Sequence, residues 1–142
     1  WLRNEKIGFI FQFHHLLPDF TILDNVFMPL WIKNGFGQHG RPLELLSEFG
    51  LLKIKDKYPA EVSGGERQRV AIIRSIVNKP KILFADEPSG NLDEKNSIKL
   101  IDLFKRINRD FNTTIMLTTH NPSIANIGNN VYELKSGLLR KQ

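Results

Sequence analysis

Three short apolar segments, each followed directly by a polar side chain, constrain the fold of this chain more than any other feature. They are residues 7–11, 82–85 and 114–118. Short apolar runs, and runs rich in β-branched residues, are typical of buried strands. Longer segments with helical periodicity separate them. Strand, helices, strand, helix and strand in this order predict an α/β fold with a parallel sheet and crossover helices.

The segment between the first two strands, from Thr21 to about Lys57, has a helical pattern. Thr21 with Asp24 three residues later is a start signal of the capping-box type. Pro29 should end or kink this helix, whereas Pro42 suits the first turn of a second helix. We therefore expect a helical lobe inserted into the α/β unit.

The second half of the chain predicts three further elements. A helix from about Glu66 to Val77 follows a turn at residues 63–65, and residues 131–140 resemble a terminal hairpin. Residues 94–109 predict an amphipathic helix with one apolar face toward the core. The residues expected on this face are Ile98, Ile101, Phe104 (or Leu103) and Ile107.

The composition limits the classes of function. A chain of 142 residues is long enough for one domain with a core, and the absence of cysteine excludes disulfides and thiolate metal sites. The net charge of +5 comes from basic residues spread along the whole chain, without interleaved aromatic residues. This pattern favours a solvated surface, and we expect no nucleic acid partner. No apolar run approaches the roughly 18 residues that a membrane helix needs.

A serine and two glycines, Ser63-Gly64-Gly65, stand directly before a predicted helix. Glycines let the backbone approach a ligand without a Cβ in the way. The free N–H groups and the dipole of the helix favour a phosphate there, and the Ser63 hydroxyl adds a donor. Alone, the three residues fit a simple helix cap. The residues that follow, 66–69 (Glu-Arg-Gln-Arg), favour a phosphate-binding role.

Asp86 and Glu87 are adjacent carboxylates at the end of a predicted buried strand. An aspartate in this place can hold Mg²⁺ through water, and the neighbouring glutamate can orient or deprotonate an attacking water. An isolated pair would fit an exposed acidic turn. The four apolar residues before the pair and residues 88–93 (Pro-Ser-Gly-Asn-Leu-Asp) after it favour the metal and water site.

Gln12 and His120 also stand at the ends of predicted strands. An amide at position 12 can coordinate Mg²⁺ or the attacking water, and a histidine at position 120 can donate to a phosphate oxygen. By itself, each residue equally fits a surface or capping role. His14 and His15 follow Gln12, but adjacent side chains diverge and a third ligand is lacking nearby, so we expect packing or partner contact there.

Taken together, these segments resemble the ATPase domain of ABC transporters over essentially the whole chain. Residues 63–69 resemble the signature motif of that family, with Val62 where most members have leucine. The other matches are Gln12 (Q-loop), Asp86-Glu87 (Walker B), residues 88–93 (D-loop) and His120 (H-loop), the last followed by Asn121 in place of the usual aspartate.

The resemblance implies ATP and Mg²⁺ as ligands and a homodimer as the working unit. In the family, the signature motif contacts the γ-phosphate of ATP bound to the partner subunit, and the D-loop packs across the dimer. Carried onto this sequence, Glu87, His120 and Gln12 are catalytic, and Asp86 with Gln12 holds the metal. The residues that touch the nucleotide are then Ser63, Gly64, Gly65, Glu66 and Asp93.

The phosphate-binding loop of the family, Gly-x-x-x-x-Gly-Lys-Ser/Thr, does not occur in the sequence. In the family it precedes the Gln12 strand, and this chain starts at Trp1. We therefore expect a domain that is incomplete at its N-terminus and does not hydrolyse ATP by itself. A non-catalytic ABC-like regulatory module is the alternative.

The expected fold is thus a P-loop NTPase-like parallel sheet with an inserted ABC α-helical subdomain. The resemblance divides it into three parts. They are residues 1–20 (Q-loop strand and loop), 21–62 (helical lobe) and 63–142 (signature helix, Walker B, D-loop, H-loop and C-terminal hairpin).

Within the family, residues 8–21 and 87–93 resemble most the ATPases of the lipoprotein-releasing system. The macrolide-export and cell-division ATPases are close relatives and stay open as alternatives. A soluble DNA-repair or chromosome-organising ABC ATPase is the alternative from another class. Such proteins usually interrupt the domain with a coiled coil or a zinc insertion, and neither occurs in this sequence.

The lipoprotein-releasing resemblance implies a peripheral subunit on the cytoplasmic face of a bacterial inner membrane. Two copies would bind integral membrane permease subunits and drive lipoprotein release. The lobe around residues 13–31 is where the resemblance places the contact with the membrane partner.

Overall fold

The computed structural model describes residues 6–12, 15–37, 40–90 and 94–142, without the side chains of Glu94 and Lys95. The strands are β1 (Ile7–Ile10), β2 (Ile82–Asp86), β3 (Thr114–Thr118), β4 (Tyr132–Lys135) and β5 (Leu138–Lys141). The helices are α1 (Ile22–Asn34), α2 (Arg41–Glu48), α3 (Gly64–Ile76), α4 (Glu94–Phe111) and α5 (Pro122–Ala125), with single turns of 3-10 helix at Leu52–Ile54 and Pro59–Glu61.

The strands β1, β2 and β3 form a parallel sheet with β2 in the middle, which confirms the predicted α/β class. Ile82 pairs with Ile7 on one side and with Thr114 on the other, so the three strands start level with one another. Parallel neighbours need crossover connections. The helices α1 to α3 lie between β1 and β2 in the chain, and α4 lies between β2 and β3. The predicted hairpin is confirmed as the antiparallel pair β4 and β5.

One face of the parallel sheet is buried against α3. Ile10, Leu83 and Ala85 on this face are at most 2% exposed. β1 comes so close to α3 that a Cβ on Gly8 would lie 2.5 Å from the carbonyl oxygen of Ser75. Since that atom belongs to the helix backbone, only glycine fits at position 8.

The other face of the sheet carries aromatic side chains. The ring of Phe9 stacks on Phe84, with centroids 5.5 Å apart, and on Phe11, with centroids 6.1 Å apart. Phe9, Phe11 and Met116 are exposed in the part of the chain that the structure describes.

The predicted start signals of the first two helices are confirmed. The Asp24 N–H donates to Thr21 Oγ1 over 3.1 Å, and the Thr21 N–H donates to Asp24 Oδ2 over 3.2 Å, which completes a capping box at the start of α1. Pro42 lies in the first turn of α2, where its missing N–H costs no helical hydrogen bond.

Pro29 lies inside α1 and does not end it, since the helix is observed as far as Asn34. The proline removes one helical hydrogen bond, but apolar residues on both sides of it are buried, among them Val26 and Leu30. The apolar burial on α1, α2 and α3 stabilises the helix by more than the loss of one hydrogen bond destabilises it. Buried apolar residues of the three helices, each at most 1% exposed, include Ile22, Val26, Leu45, Leu46, Ile72 and Ile73.

The predicted buried face of α4 is wrong at two positions. Ile98 is 56% exposed and Ile101 is only half-buried, whereas Leu100, Leu103, Phe104 and Ile107 are buried. At about 100° per residue the four buried residues share one side of the helix, so Ile98 lies nearly opposite them and Ile101 lies at their border. Among the described residues, no helix has both the length and the hydrophobicity of a membrane-spanning segment.

Asn25 on α1 fixes the loop that enters the helical part of the chain. Its side chain is fully buried, and its Nδ2 donates to the carbonyl oxygens of Leu17, Phe20 and Thr21 over 3.0, 3.1 and 2.9 Å. Its Oδ1 accepts from the Leu17 N–H over 2.7 Å. A buried amide with all these partners holds the loop in one conformation.

We expect Asn25→Ala to lower the free energy of unfolding by about 3 kcal/mol, since it leaves several buried backbone groups without partners. Denaturant unfolding followed by tryptophan fluorescence measures the change. Asn34→Ala, at an exposed position of the same helix, is the matched control and should change the value by less than about 0.5 kcal/mol. Equal losses in the two variants would contradict the assignment.

Candidate functional site

The carboxyl ends of the parallel strands bring three of the predicted site residues, Asp86, Glu87 and His120, to one edge of the sheet. Asp86 is the last residue of β2 and pairs with Thr118, the last residue of β3. Glu87 follows Asp86, and His120 follows β3 by two residues. Ligands of open parallel sheets bind outside the carboxyl ends of the strands. The register of the sheet therefore gathers these side chains where a ligand can reach them.

Asp86 is exposed and accepts a hydrogen bond from Thr118 Oγ1 over 2.6 Å. This carboxylate fits Mg²⁺, which takes oxygen ligands and is commonly held by one or two carboxylates together with substrate phosphates. Clusters of three or more acidic, histidine or cysteine side chains that hold a metal by themselves are not found in the described ranges. A magnesium ion held by Asp86 would take its other oxygen ligands from water and from a bound phosphate.

Glu87 lies on a sharp backbone turn. Its φ is +42°, in the left-handed region that non-glycine residues rarely adopt. Two backbone hydrogen bonds hold the turn. The Glu87 N–H donates to the Thr118 oxygen over 3.0 Å, and the Gly90 N–H donates to the Glu87 oxygen over 3.1 Å. Left-handed conformations cluster at functional sites because the surrounding structure must enforce them.

The Glu87 carboxylate contacts two groups that follow β3. His120 Nδ1 lies 3.0 Å from Glu87 Oε1, and Thr119 Oγ1 donates to Glu87 Oε2 over 3.5 Å. The His120 side chain is 80% exposed and that of Glu87 only 26%. The glutamate is thus held at the sheet edge while the imidazole stays accessible to a ligand.

Gln12 lies against the turn that follows Glu87. A Cβ on Gly90 would come within 2.7 Å of Gln12 Nε2 and within 3.2 Å of its Cδ. The predicted Q-loop residue therefore reaches the residues after the Walker B pair. Asp93 and its neighbours Asn91 and Leu92 lie outside the described residues.

The signature segment starts α3 two residues earlier than predicted. Ser63 is the N-cap, and Gly64 and Gly65 belong to the first helical turn instead of a turn before the helix. The Glu66 N–H donates to Ser63 Oγ over 3.3 Å, and the Ser63 N–H donates to Glu66 Oε2 over 2.8 Å. The reason is the capping box, which lets the helix begin at the residue after the serine.

The Ser63 hydroxyl also donates to Glu66 Oε2, over 2.7 Å. This hydrogen bond, followed by the one from the Ser63 N–H, lowers the pKa of Glu66 below its ordinary value. The hydroxyl predicted to meet a phosphate is therefore engaged with a carboxylate of its own helix.

The two glycines of the signature differ in their surroundings. A Cβ on Gly64 would meet only Arg67 Nη2, at 4.0 Å, whereas a Cβ on Gly65 would lie 3.1 Å from Asn96 Oδ1 on α4. The cavity between Gly65 and Asn96 has a volume of about 10 Å³, room for one water at most. The space for a side chain at Gly65 is thus limited by α4 as well as by any ligand. The sequence did not indicate this contact with α4.

The structure joins some of the predicted site residues and leaves others apart. Asp86, Glu87 and His120 share one edge, and Gln12 meets it at Gly90. No hydrogen bond among the described residues links the signature residues Ser63 to Glu66 with this edge. Thr118 and Thr119 were missed as site residues, although hydroxyl side chains at the end of a neighbouring strand were a signal for them.

Comparison with known proteins identifies the family. Residues 1–90 match the family model described as ABC transporter. The chain belongs to the ABC transporter family. Two solved dimeric structures of the ATP-binding cassette MJ0796 resemble it. One, in a post-hydrolysis state bound to ADP and Pi, is 36% identical with a TM-score of 0.85, over 99% of this chain and 64% of that one. The other is 37% identical with a TM-score of 0.86, over the same shares of both chains.

These likenesses confirm the predicted ABC ATPase fold. Two curated ABC relatives carry the name lipoprotein-releasing system ATP-binding protein LolD. The protein of Blochmanniella floridana is 46% identical over 142 residues, 98% of this chain and 60% of the relative. That of Wigglesworthia glossinidia brevipalpis is 48% identical over 144 residues, 100% of this chain and 63% of the relative. The chain thus spans somewhat over half the length of the curated relatives that it matches.

The lowered pKa of Glu66 predicts a pH-dependent contribution to stability. The ionised carboxylate stabilises the fold above the ordinary value of 4.5, and this contribution is lost as the pH falls through the lower pKa of the folded state. Glu66→Gln keeps the capping box but cannot ionise. The difference in unfolding free energy between wild type and variant should be constant above about pH 5 and change below it, by less than about 1 kcal/mol since the pair is exposed. Parallel pH profiles of the two proteins would contradict this.

Proposed function

We propose that the protein is the ATP-binding and ATP-hydrolysing subunit of a bacterial ABC transporter and that it powers lipoprotein release from the inner membrane. The observation that carries the ATPase proposal is the 3.0 Å contact between His120 Nδ1 and Glu87 Oε1, beside Asp86 at the sheet edge. The names of the LolD relatives support the lipoprotein substrate.

Each residue of the edge has one task in the proposed reaction. Asp86 would hold Mg²⁺, which when bound neutralises charge on the phosphate oxygens. Glu87 accepts a proton from the attacking water, with Thr119 and His120 holding its carboxylate in place. His120 donates to a γ-phosphate oxygen, and Gln12 orients the water or completes the metal shell. When both of its ring nitrogens carry hydrogen, the exposed ring of His120 can donate to the phosphate from Nε2 while Nδ1 donates to Glu87.

The proposed working unit is a homodimer in which each signature segment faces the nucleotide of the other chain. In this arrangement Ser63, Gly64 and Gly65 bind phosphate at the start of α3, with Glu66 and Asp93 next to the nucleotide. The helix start suits an anion. Among the described residues, no hydrogen bond joins residues 63–66 with Asp86 or Glu87 of the same chain, and the dimeric form of MJ0796 supports a site shared by two chains.

The proposed partners in the membrane are integral permease subunits, and the proposed location is the cytoplasmic face of the inner membrane. We place the partner contact on the helical lobe, residues 21–62, and on the loop before it. Leu17 and Phe20 in that loop are exposed apolar side chains. We propose that the chain divides into this lobe and two further parts, residues 1–20 and residues 63–142.

The first test removes the proposed base. Glu87→Gln in the complete gene product should retain ATP binding but lower ATP turnover by about 10²-fold or more, the usual scale for loss of a general base. Steady-state phosphate release and nucleotide affinity are the measurements. Glu133→Gln, an exposed glutamate on β4, is the matched control and should leave turnover unchanged. Near-normal turnover of Glu87→Gln would remove this residue from the role.

The second test asks whether the signature acts across a dimer. Gly65→Asp adds a negative charge beside the proposed phosphate and crowds Asn96, so it should abolish turnover. In an equal mixture with Glu87→Gln subunits, half of the dimers are heterodimers. In each heterodimer both lesions fall on one of the two shared sites and the other site is intact, so the mixture should recover about a quarter of the wild-type rate.

The control for this mixture places both substitutions on one chain and mixes that chain with wild type. The heterodimer then carries one lesion in each site and is inactive, although the total number of substitutions is the same. The reverse pattern, measured on heterodimers isolated with different affinity tags, would show that the signature serves the nucleotide of its own chain. The Gly65→Asp/Glu87→Gln heterodimer would then be inactive, and the heterodimer of the doubly substituted chain with wild type would retain about half of the wild-type rate.

A further inference from the structure

Gln68 on α3 has a buried amide that no step of the proposed reaction uses. Its side chain is 1% exposed, and its Nε2 donates to the carbonyl oxygen of Pro88 over 2.6 Å. Gln68 belongs to the signature segment, residues 63–69, about one helical turn after Gly64, and Pro88 directly follows Glu87. A single buried hydrogen bond thus connects the signature helix with the turn that carries the proposed base.

Within the described ranges, the segment that receives this hydrogen bond is held by two backbone hydrogen bonds of Glu87. Pro88 has no N–H to donate, and Glu87 before it has the left-handed φ of +42°. The backbone of Glu87 bonds to Thr118 and Gly90. The amide of Gln68 adds an anchor from outside the sheet and the turn, on the side of α3.

The other atom of the amide adds no protein hydrogen bond to the stability of the fold. Gln68 Oε1 is buried and has no hydrogen-bond partner among the described residues. A buried acceptor without a partner is unfavourable. An apolar side chain of similar length would avoid this cost, but it would not hold the Pro88 carbonyl.

We propose that Gln68 is a positioning residue for Glu87. By holding the Pro88 carbonyl, it fixes the turn so that the Glu87 carboxylate stays where His120 and Thr119 meet it. This inference rests on the proposed role of Glu87. It also links the two shared sites of the proposed dimer, since α3 begins at one nucleotide and its Gln68 holds the base that acts on the other.

The test compares Gln68→Met with a matched control at the opposite end of β2. Thr113 is also 1% exposed, and its Oγ1 donates to the carbonyl oxygen of Pro80 over 2.9 Å. Both wild-type bonds run from a buried side chain to a proline carbonyl, one before β2 and one after it. Thr113→Val removes the bond that is remote from the proposed site.

The two variants should have opposite effects. Gln68→Met removes one unpaired acceptor, Oε1, and leaves another, the Pro88 oxygen, so the Tm of the complete gene product should change little. Its kcat should fall by about tenfold to a hundredfold with unchanged KM for ATP, because a displacement of a reacting group by about 1 Å lowers the rate by up to this factor. Thr113→Val leaves an unpaired acceptor without compensation, so its Tm should fall while its kcat is retained.

A second arm combines Gln68→Met with Glu87→Gln. If Gln68 acts through Glu87, Gln68→Met lowers kcat in the wild-type background but has no further effect in the Glu87→Gln background. If Gln68→Met yields no folded protein, Gln68→Asn replaces it. That change keeps the amide but draws its nitrogen back by about 1.5 Å, one carbon–carbon bond, and the same pattern is expected.

The outcomes separate this inference from the proposed function. Normal turnover of Glu87→Gln overturns the role of Glu87 itself. Loss of turnover in Glu87→Gln with a wild-type kcat in Gln68→Met or Gln68→Asn overturns only the positioning role. An equal further loss in the Glu87→Gln background, or a raised KM with unchanged kcat, also overturns it.

Discussion

The pairing of β2 with a parallel strand on each side is the constraint on which the rest of the structure depends. Because both of its edges are hydrogen-bonded, a shift of β2 by one residue would turn Leu83 and Ala85 out of the core. The same register places Asp86 opposite Thr118 and makes Glu87 the first residue beyond the strand. Core packing far from the ligand thus determines where the proposed metal ligand and base lie.

The site then depends on a backbone that is unfavourable by itself. The left-handed turn at Glu87 directs the chain away from the sheet edge at once, so that the carboxylate stays beside the residues after β3. Its backbone bonds to Thr118 and Gly90, and the buried amide of Gln68, hold this turn from three directions. Neighbouring residues from other elements stabilise Glu87 in this unfavourable conformation. Strained residues persist at functional sites when the surrounding structure holds them in this way.

The sequence predicted the features that depend on local chemistry. A buried parallel strand needs an apolar run, and a carboxylate such as Asp86 can stand only at its end, so strands and site residues were predicted together. What the sequence missed depends on contacts between distant segments. The hydrogen bonds of Thr118 and Gln68 follow from register and helix packing. Likewise, whether Pro29 ends α1 or Ile98 is buried depends on which neighbouring elements cover each turn.

The signature serine has two competing partners. In the structure the Ser63 hydroxyl donates to the Glu66 carboxylate and accepts from the Glu66 N–H, which caps α3. A phosphate at this helix start would offer the hydroxyl and the free N–H groups another anionic acceptor. In the proposed site this exchange would leave the hydroxyl one acceptor but bring two negative groups together, so the Glu66 carboxylate would have to turn away. Because the pair is exposed, water would solvate the released carboxylate, and the helix would pass from a side-chain cap to a phosphate cap without unfolding its first turn.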